Sequence, residues 1–411
     1  MPSPFLPYGC QTIDDDDVAA VIEALRAPAL TCGPRVEAFE AALADYLGAP
    51  HVLACATGTA ALHLAYAALD LGPGDEIITS PVTFSATASA AYQVGATVRF
   101  ADVEPDTGNL DVGSVAALIG PRTRAIVAVH LAGLPCAMTA LRALADAHDL
   151  LLIEDACHAL GALYGDRMVA SGQADAAVLS FHPVKHITTG EGGAVIVRRP
   201  EHAARIARLR HHGIERDPAG FTIPSPGPWY HEVVEQGWNY RLTDLACALG
   251  TSQLTKQPDW LARRRELAAR YREELARRFG TGADALVRAP ATRARRESAY
   301  HLFAVAIDFA RAGVDRATAM ARLRDAGVGT QVHYIPLTAQ PFHRARAGAH
   351  ADLPRPGADA YYARTLSLPM FPALADGDIR RVVDALATAL DRPAVARPVP
   401  FLELAAPESS P

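Results

Sequence analysis

Between about residue 50 and residue 200, short apolar runs rich in β-branched residues recur between alanine-rich helical stretches, and this rhythm leaves few folds open. The strand candidates are Glu76–Thr79, Thr97–Phe100, Ala125–Val129, Leu150–Glu154, Ala176–Phe181 and Ala194–Val197. Helical candidates such as Thr59–Leu69, Ala86–Val94 and Ala137–Ala147 lie between them. The runs lack polar alternation, which marks strands covered on both faces. An α/β fold is therefore expected, with a parallel or mixed sheet wrapped by helices. Ligands in such folds sit where strands end and helices begin.

The rest of the chain suggests a second unit. The stretch Glu215–Glu232 carries Pro218, Pro224, Pro226 and Pro228 and reads as a long surface loop. A charged helix over Asp259–Phe279 follows, and it would link a large domain, residues 1–255, to a smaller one, residues 256–393. The smaller unit holds the strand-like His301–Ile307 and the helical Ala317–Ala326. Residues 1–25 are expected to pack near the smaller domain, and the proline-rich tail 394–411 is expected to be disordered.

Composition removes several classes of function. A net charge of -6 over 411 residues provides no field to gather a polyanion, so nucleic acid is not an expected partner. No apolar run approaches the ~18 residues a membrane span needs, and the acidic start MPSPFLPYGCQTIDDDD does not resemble a leader. The six cysteines show neither C-x-x-C pairs nor zinc spacing, which reads as reduced thiols in a cytoplasm.

Three segments carry candidate chemistry. Ala56-Thr57-Gly58-Thr59 runs straight into a helix, where backbone N–H groups and hydroxyls can face one anion; a plain helix cap would use the same residues. Leu152-Ile153-Glu154-Asp155-Ala156-Cys157-His158 puts an acid at the end of a buried strand. Such a carboxylate can keep a ring nitrogen protonated, or can simply cap the next helix. His158 would steady it, stack on a ring, or be an ordinary core histidine. In Ser180-Phe181-His182-Pro183-Val184-Lys185-His186, a lysine follows a buried strand and precedes the glycine-rich TTGEGG. A lysine whose charged form is disfavoured becomes a nucleophile able to form a Schiff base, though a surface lysine fits the segment as well. His182 and His186 lie four apart, but Pro183 disfavours a helix there and no third ligand is evident, so no metal is expected.

Taken together and in this order, the segments resemble the DegT/DnrJ/EryC1/StrS sugar aminotransferases, fold-type I enzymes that use pyridoxal 5'-phosphate (PLP). The resemblance runs from about Pro7 to Leu390, and its most specific pieces are EDACHALG, SFHPVKHITTGEGGAV, GWNYRLTDLACALG and HYIPL. It implies a mostly parallel seven-stranded sheet in the large domain and a smaller α+β C-terminal domain. Lys185 would carry PLP and shuttle the proton, and Asp155 would pair with the pyridine nitrogen, with His158 beside it. Thr57, Gly58, Thr59 and Ser180 would hold the phosphate, and Phe84 would lie against the ring. Asn239 would reach the phosphate of a neighbouring subunit, which implies a homodimer with shared sites. Arg241 would be structural or would meet an anionic group.

Within that family the chain most resembles the UDP-4-keto-sugar transaminases of pseudaminic acid synthesis, through Tyr8, Ala29-Leu30-Thr31 and Gln331-Val332-His333-Tyr334. The resemblance then implies that Tyr8, Leu30, Thr31, Asn239, His333 and Tyr334 line a sugar-nucleotide site. Glutamate would donate the amino group, with pyridoxamine phosphate between the half-reactions. A perosamine-type enzyme acting on a GDP-sugar is the alternative. The related sugar dehydrases carry histidine at the position held here by Lys185, and a non-catalytic PLP-binding relative would not need both Lys185 and Asp155. A nicotinamide dehydrogenase would need a glycine fingerprint that Gly58 alone does not supply.

Overall fold

The computed structural model describes residues 4–391, so the tail 394–411 lies outside the described residues. Seven strands form the main sheet: β1 (His51–Cys55), β2 (Glu76–Thr79), β3 (Thr97–Phe100), β4 (Thr123–Val129), β5 (Leu151–Asp155), β6 (Ala176–Ser180) and β7 (Gly193–Val197). Their order across the sheet is β1-β7-β6-β5-β4-β2-β3. Each pairing from β6 through to β3 is parallel, while β7 runs antiparallel to both β6 and β1. Successive side chains of a strand point to opposite faces, and the sheet uses this to serve separate cores. Ile77, Val127 and Ile153 enter one core, whereas their neighbours Ile78, Ile126 and Leu152 enter another.

Strand β1 escapes the sequence pattern because its burial alternates and it opens with a partly exposed histidine. Two early helices escape it as well. The acidic run near the start of the chain begins α1 (Asp15–Arg26), where Asp14 and Asp17 form a reciprocal capping box. Three aspartates in its first turn also complement the helix dipole. Helix α2 (Pro34–Leu47) is started by a proline and by Asp244, which accepts the N–H groups of Gly33 and Arg35.

The linking helix differs from expectation. It starts at Asp244, not Asp259, and runs unbroken through Pro258 to Phe279 as a 36-residue α5. Thr243 caps it, its hydroxyl accepting the N–H of Ala246. Proline lacks an N–H and disfavours a helix interior, which is why the sequence reads as two pieces. Nor is α5 simply a charged surface helix. Arg264 is 2% exposed and donates to the carbonyls of Tyr300, His301 and Met370.

The far half of α5 enters a further core with an antiparallel three-stranded sheet, β8 (Val287–Arg288), β9 (Phe303–Ile307) and β10 (Thr365–Leu368). Helices α6 (Arg316–Asp325) and α7 (Asp376–Asp391) cover it. The N-terminal segment joins this core through Leu6, whose backbone bonds to Gly327 and Gly329. Helix α1 instead lies on the near half of α5, where Ser252, Gln253 and Lys256 all contact Asp17. The proline-rich stretch is a surface excursion closed by a two-residue ladder, Ile214–Glu215 against Glu232–Val233. Among the described residues no helix is long and apolar enough to cross a membrane.

Candidate active site

At the end of β5, adjacent acids meet different fates because strand neighbours point to opposite faces. Glu154 turns into the core, where it accepts from His130 Nε2 (3.0 Å) and from the N–H of Ala170. Asp155 turns into a cavity of about 1060 Å³. One of its oxygens accepts from Thr87 Oγ1, on α4 (Ala86–Gln93), at 2.7 Å and the other from the N–H of Cys157. Because the Thr87 proton is committed to Asp155, the Thr83 hydroxyl 2.8 Å away must donate to Thr87. A relay of two hydroxyls thus fixes the carboxylate.

Lys185 lines the same cavity from the turn between β6 and β7. Thr188 and Thr189 close that turn onto the Phe181 carbonyl, and Gln253 of α5 accepts the N–H of Thr188. Burial lowers the proton affinity of the lysine amine, opposed by Cys157 and Asp155. This favours the neutral, nucleophilic amine.

A third wall is the start of α3 (Gly58–Ala68). Thr57 caps it by accepting the N–H of Ala60 (3.0 Å), which leaves the hydroxyl hydrogen free to meet an anion. Capping and anion binding are compatible here. A Cβ on Gly58 would lie 2.8 Å from that of Ser180, and one on Gly193 would lie 2.5 Å from the Thr57 carbonyl oxygen. Only glycines let β6, β7 and the α3 N-terminus close around this corner.

The remaining wall comes from His158, His301, His333, Tyr334, Tyr8 and Phe84. The N–H of Ala132 donates to His158 Nδ1, so His158 Nε2 carries the hydrogen and donates to the Tyr334 oxygen at 3.2 Å. His158, His301 and His186 form a row, with centroids 4.4 and 5.5 Å apart. Burial presses all three toward the neutral form, with Arg264 helping to bring His186 down to about 3, and burial and Lys185 bring His333 down to about 4. His182 and His186 do not converge: the first is exposed and the second donates from Nε2 to the Ala299 carbonyl.

Of the residues singled out in the sequence, Thr57, Gly58, Thr59, Phe84, Asp155, His158, Ser180, Lys185, Tyr8, His333 and Tyr334 share this cavity. Leu30, Thr31 and Asn239 do not line it within the single chain. They lie along one stretch instead: Thr31 bridges Thr243, Leu30 accepts the N–H of Asp244, and Asn239 bridges His211. Arg241 donates to His211 Nδ1. Sequence reading missed Thr87 and His301. Thr87 was detectable, since it follows Phe84 by one helical turn in PVTFSATA; His301 had no local signal.

The model of the DegT/DnrJ/EryC1/StrS aminotransferase family matches residues 11–387. The chain belongs to this family. It is 38% identical over 383 residues to the spore coat polysaccharide biosynthesis protein SpsC of Bacillus subtilis, covering 93% of this chain and 96% of that one. Helicobacter pylori PseC, an aminotransferase of pseudaminic acid biosynthesis, superposes with a TM-score of 0.85 at 30% identity, covering 94% of this chain and 99% of that one. Streptococcus pneumoniae Spr1654, solved in PLP and pyridoxamine-phosphate forms, is 26% identical, with TM-scores of 0.84 and 0.85 over 95% of this chain and 99% of that one. The protein is thus a PLP-dependent sugar aminotransferase, and its cavity suits the cofactor. The α3 N-terminus offers N–H groups to a phosphate, Asp155 offers a held carboxylate to a ring nitrogen, and Lys185 offers a desolvated amine.

Proposed function

We propose that this aminotransferase moves the amino group of L-glutamate to C4 of a UDP-linked 4-keto-6-deoxy sugar, in surface-glycan synthesis of the pseudaminic-acid type. The observation that carries this reading is a single cavity gathering Lys185, Asp155 and the α3 N-terminus with Tyr8, His333 and Tyr334. Bound PLP supplies an electron sink, which works while its ring nitrogen stays protonated. Asp155 holds that proton in place, itself fixed by Thr87 and the Cys157 N–H. Thr57, Gly58, Thr59 and Ser180 would hold the phosphate of PLP, and Phe84 would lie against its ring. Lys185 takes the proton from Cα of glutamate in one half-reaction and gives one to the sugar C4 in the other, with 2-oxoglutarate leaving between them. Neutral His158 and Tyr334 border this transfer without competing for the proton.

A nucleotide handle is proposed next to the cavity, behind its lining residue Phe342. Arg346 stacks over Phe342, a lining residue, and over Tyr92, at 4.9 and 4.8 Å, and has no carboxylate partner among the described residues. A guanidinium so placed suits a diphosphate. Glutamate-dependent amination across UDP-, GDP- and dTDP-linked 4-keto-6-deoxy sugars tests the reading. The UDP-linked N-acetylhexosamine should be fastest; faster turnover of the GDP-linked keto-mannose reassigns the enzyme to the perosamine type.

The stretch holding Leu30, Thr31 and Asn239 supports a homodimer in which Asn239 completes the partner's phosphate cradle and Leu30 and Thr31 face the partner's substrate. Lys185→Ala and Asn239→Ala proteins should each be nearly inactive alone. Refolded together, they should recover part of the activity, because one site of each heterodimer keeps both residues. Proven heterodimers without recovery would remove Asn239 from the shared site.

A further inference from the structure

Lys185 also lines a second and much smaller cavity of about 10 Å³. Three distant segments supply its polar wall, Cys10 and Thr12 from the N-terminal stretch, Lys185 and His186 from the lysine turn, and Gln253 and Arg264 from α5, and Pro372 of a fourth closes it. Three of these residues each hold a solvent-inaccessible polar atom with no partner in the protein: Thr12 Oγ1, His186 Nδ1 and Arg264 Nε. Orphaned buried polar atoms are rare and costly, so three around one cell call for a shared explanation.

Their hydrogen-bonding characters decide the ligand. Arg264 Nε–H can only donate. His186 donates from Nε2 to the Ala299 carbonyl, and its ring is held neutral, so Nδ1 can only accept. Thr12 Oγ1 can do either. An anion would satisfy Arg264 but not His186, and a cation would face the buried guanidinium. Water gives one donor to His186, accepts from Arg264 and pairs with Thr12 in either sense. The cell is about the size one water needs, and buried waters typically make about three hydrogen bonds.

We propose that one ordered water occupies this cell, bridging Thr12, His186 and Arg264, and that Thr12 is thereby a positioning residue for Lys185. The same three segments are already joined at Gln253, which accepts the Thr188 N–H and donates to the Thr12 carbonyl. The water completes that brace beside the lysine side chain. It fills the space into which the amine would otherwise withdraw and spreads the Arg264 charge over a polarisable bridge.

The site itself is tested by a high-resolution crystal structure of the holoenzyme, independently of any role for Lys185. One water should lie within hydrogen-bond distance of all three atoms; a cell without density, or direct protein partners for Arg264 Nε and His186 Nδ1, overturns it. The positioning role rests on Lys185 being the cofactor-bearing lysine and is read from the cofactor absorbance titrated against pH. Thr12→Val keeps the shape but loses the bridge, leaving Arg264 less screened, so the midpoint should fall by on the order of half a unit. Thr12→Ser keeps a hydroxyl and should match the parent. A folded Thr12→Val protein with the parent's midpoint removes Thr12 from the positioning of Lys185.

Discussion

Lys185→Ala protein should lose sugar amination by about 10³-fold or more, the scale expected when a positioned proton carrier that is also the covalent anchor is removed. Lys185→Arg should be equally inactive, because it restores a cation and a long stem but not an amine able to join a carbonyl. Borohydride reduction of the parent followed by peptide mapping should place the cofactor on the peptide containing Lys185. A label on Lys256, or substantial turnover in the arginine variant, would sink the assignment. Lys256 is the natural control, since burial lowers its proton affinity but Asp14 and Asp17 outweigh that and keep it charged.

The second large effect is on stability against acid. His158, His186, His301 and His333 are buried and all titrate below their ordinary value near 6.5. Below pH 6.5 the unfolded chain therefore binds protons that the folded chain refuses, and stability present above 6.5 drains away as pH falls toward 4 or 3. Each such histidine works against the folded state by about 1.4 kcal/mol for every pH unit below its unfolded pKa, and His130, raised to about 10 with help from its bond to Glu154, opposes them in part. Urea midpoints between pH 7.5 and 5 should fall steeply. His186→Gln keeps a donor for the Ala299 carbonyl and should flatten the slope by one proton. A parent whose midpoint is unchanged from pH 7 to 5 would show that these rings ionise freely.

Much of the main sheet was legible because β2, β4, β5, β6 and β7 are buried on both faces, and a run with no polar partner shows plainly in sequence. Legibility failed where the signal is shared among distant residues. The start of α2 depends on Asp244, more than two hundred positions away. The continuity of α5 was hidden by Pro258, tolerated in a helix that packs along much of its length. The choice of Asp155 over Glu154 agrees with the side of the strand each faces, but Thr87, which fixes the carboxylate, looks like any helix threonine until the fold brings it there. Arg264 reads as surface charge and is interior.

Helix α5 is a single rod whose near half braces the lysine turn through Gln253 and whose far half is packed by Leu267, Tyr271 and Leu275 into the core around β9. A continuous helix transmits force without slack. The two cores it threads cannot swing apart as on a hinge without breaking its backbone ladder, so His333 and Tyr334 keep a set distance from Lys185. Access to the cavity then falls to short surface segments such as the helix Pro341–Ala347 at its mouth, and melting of either core is felt by the other as one cooperative event.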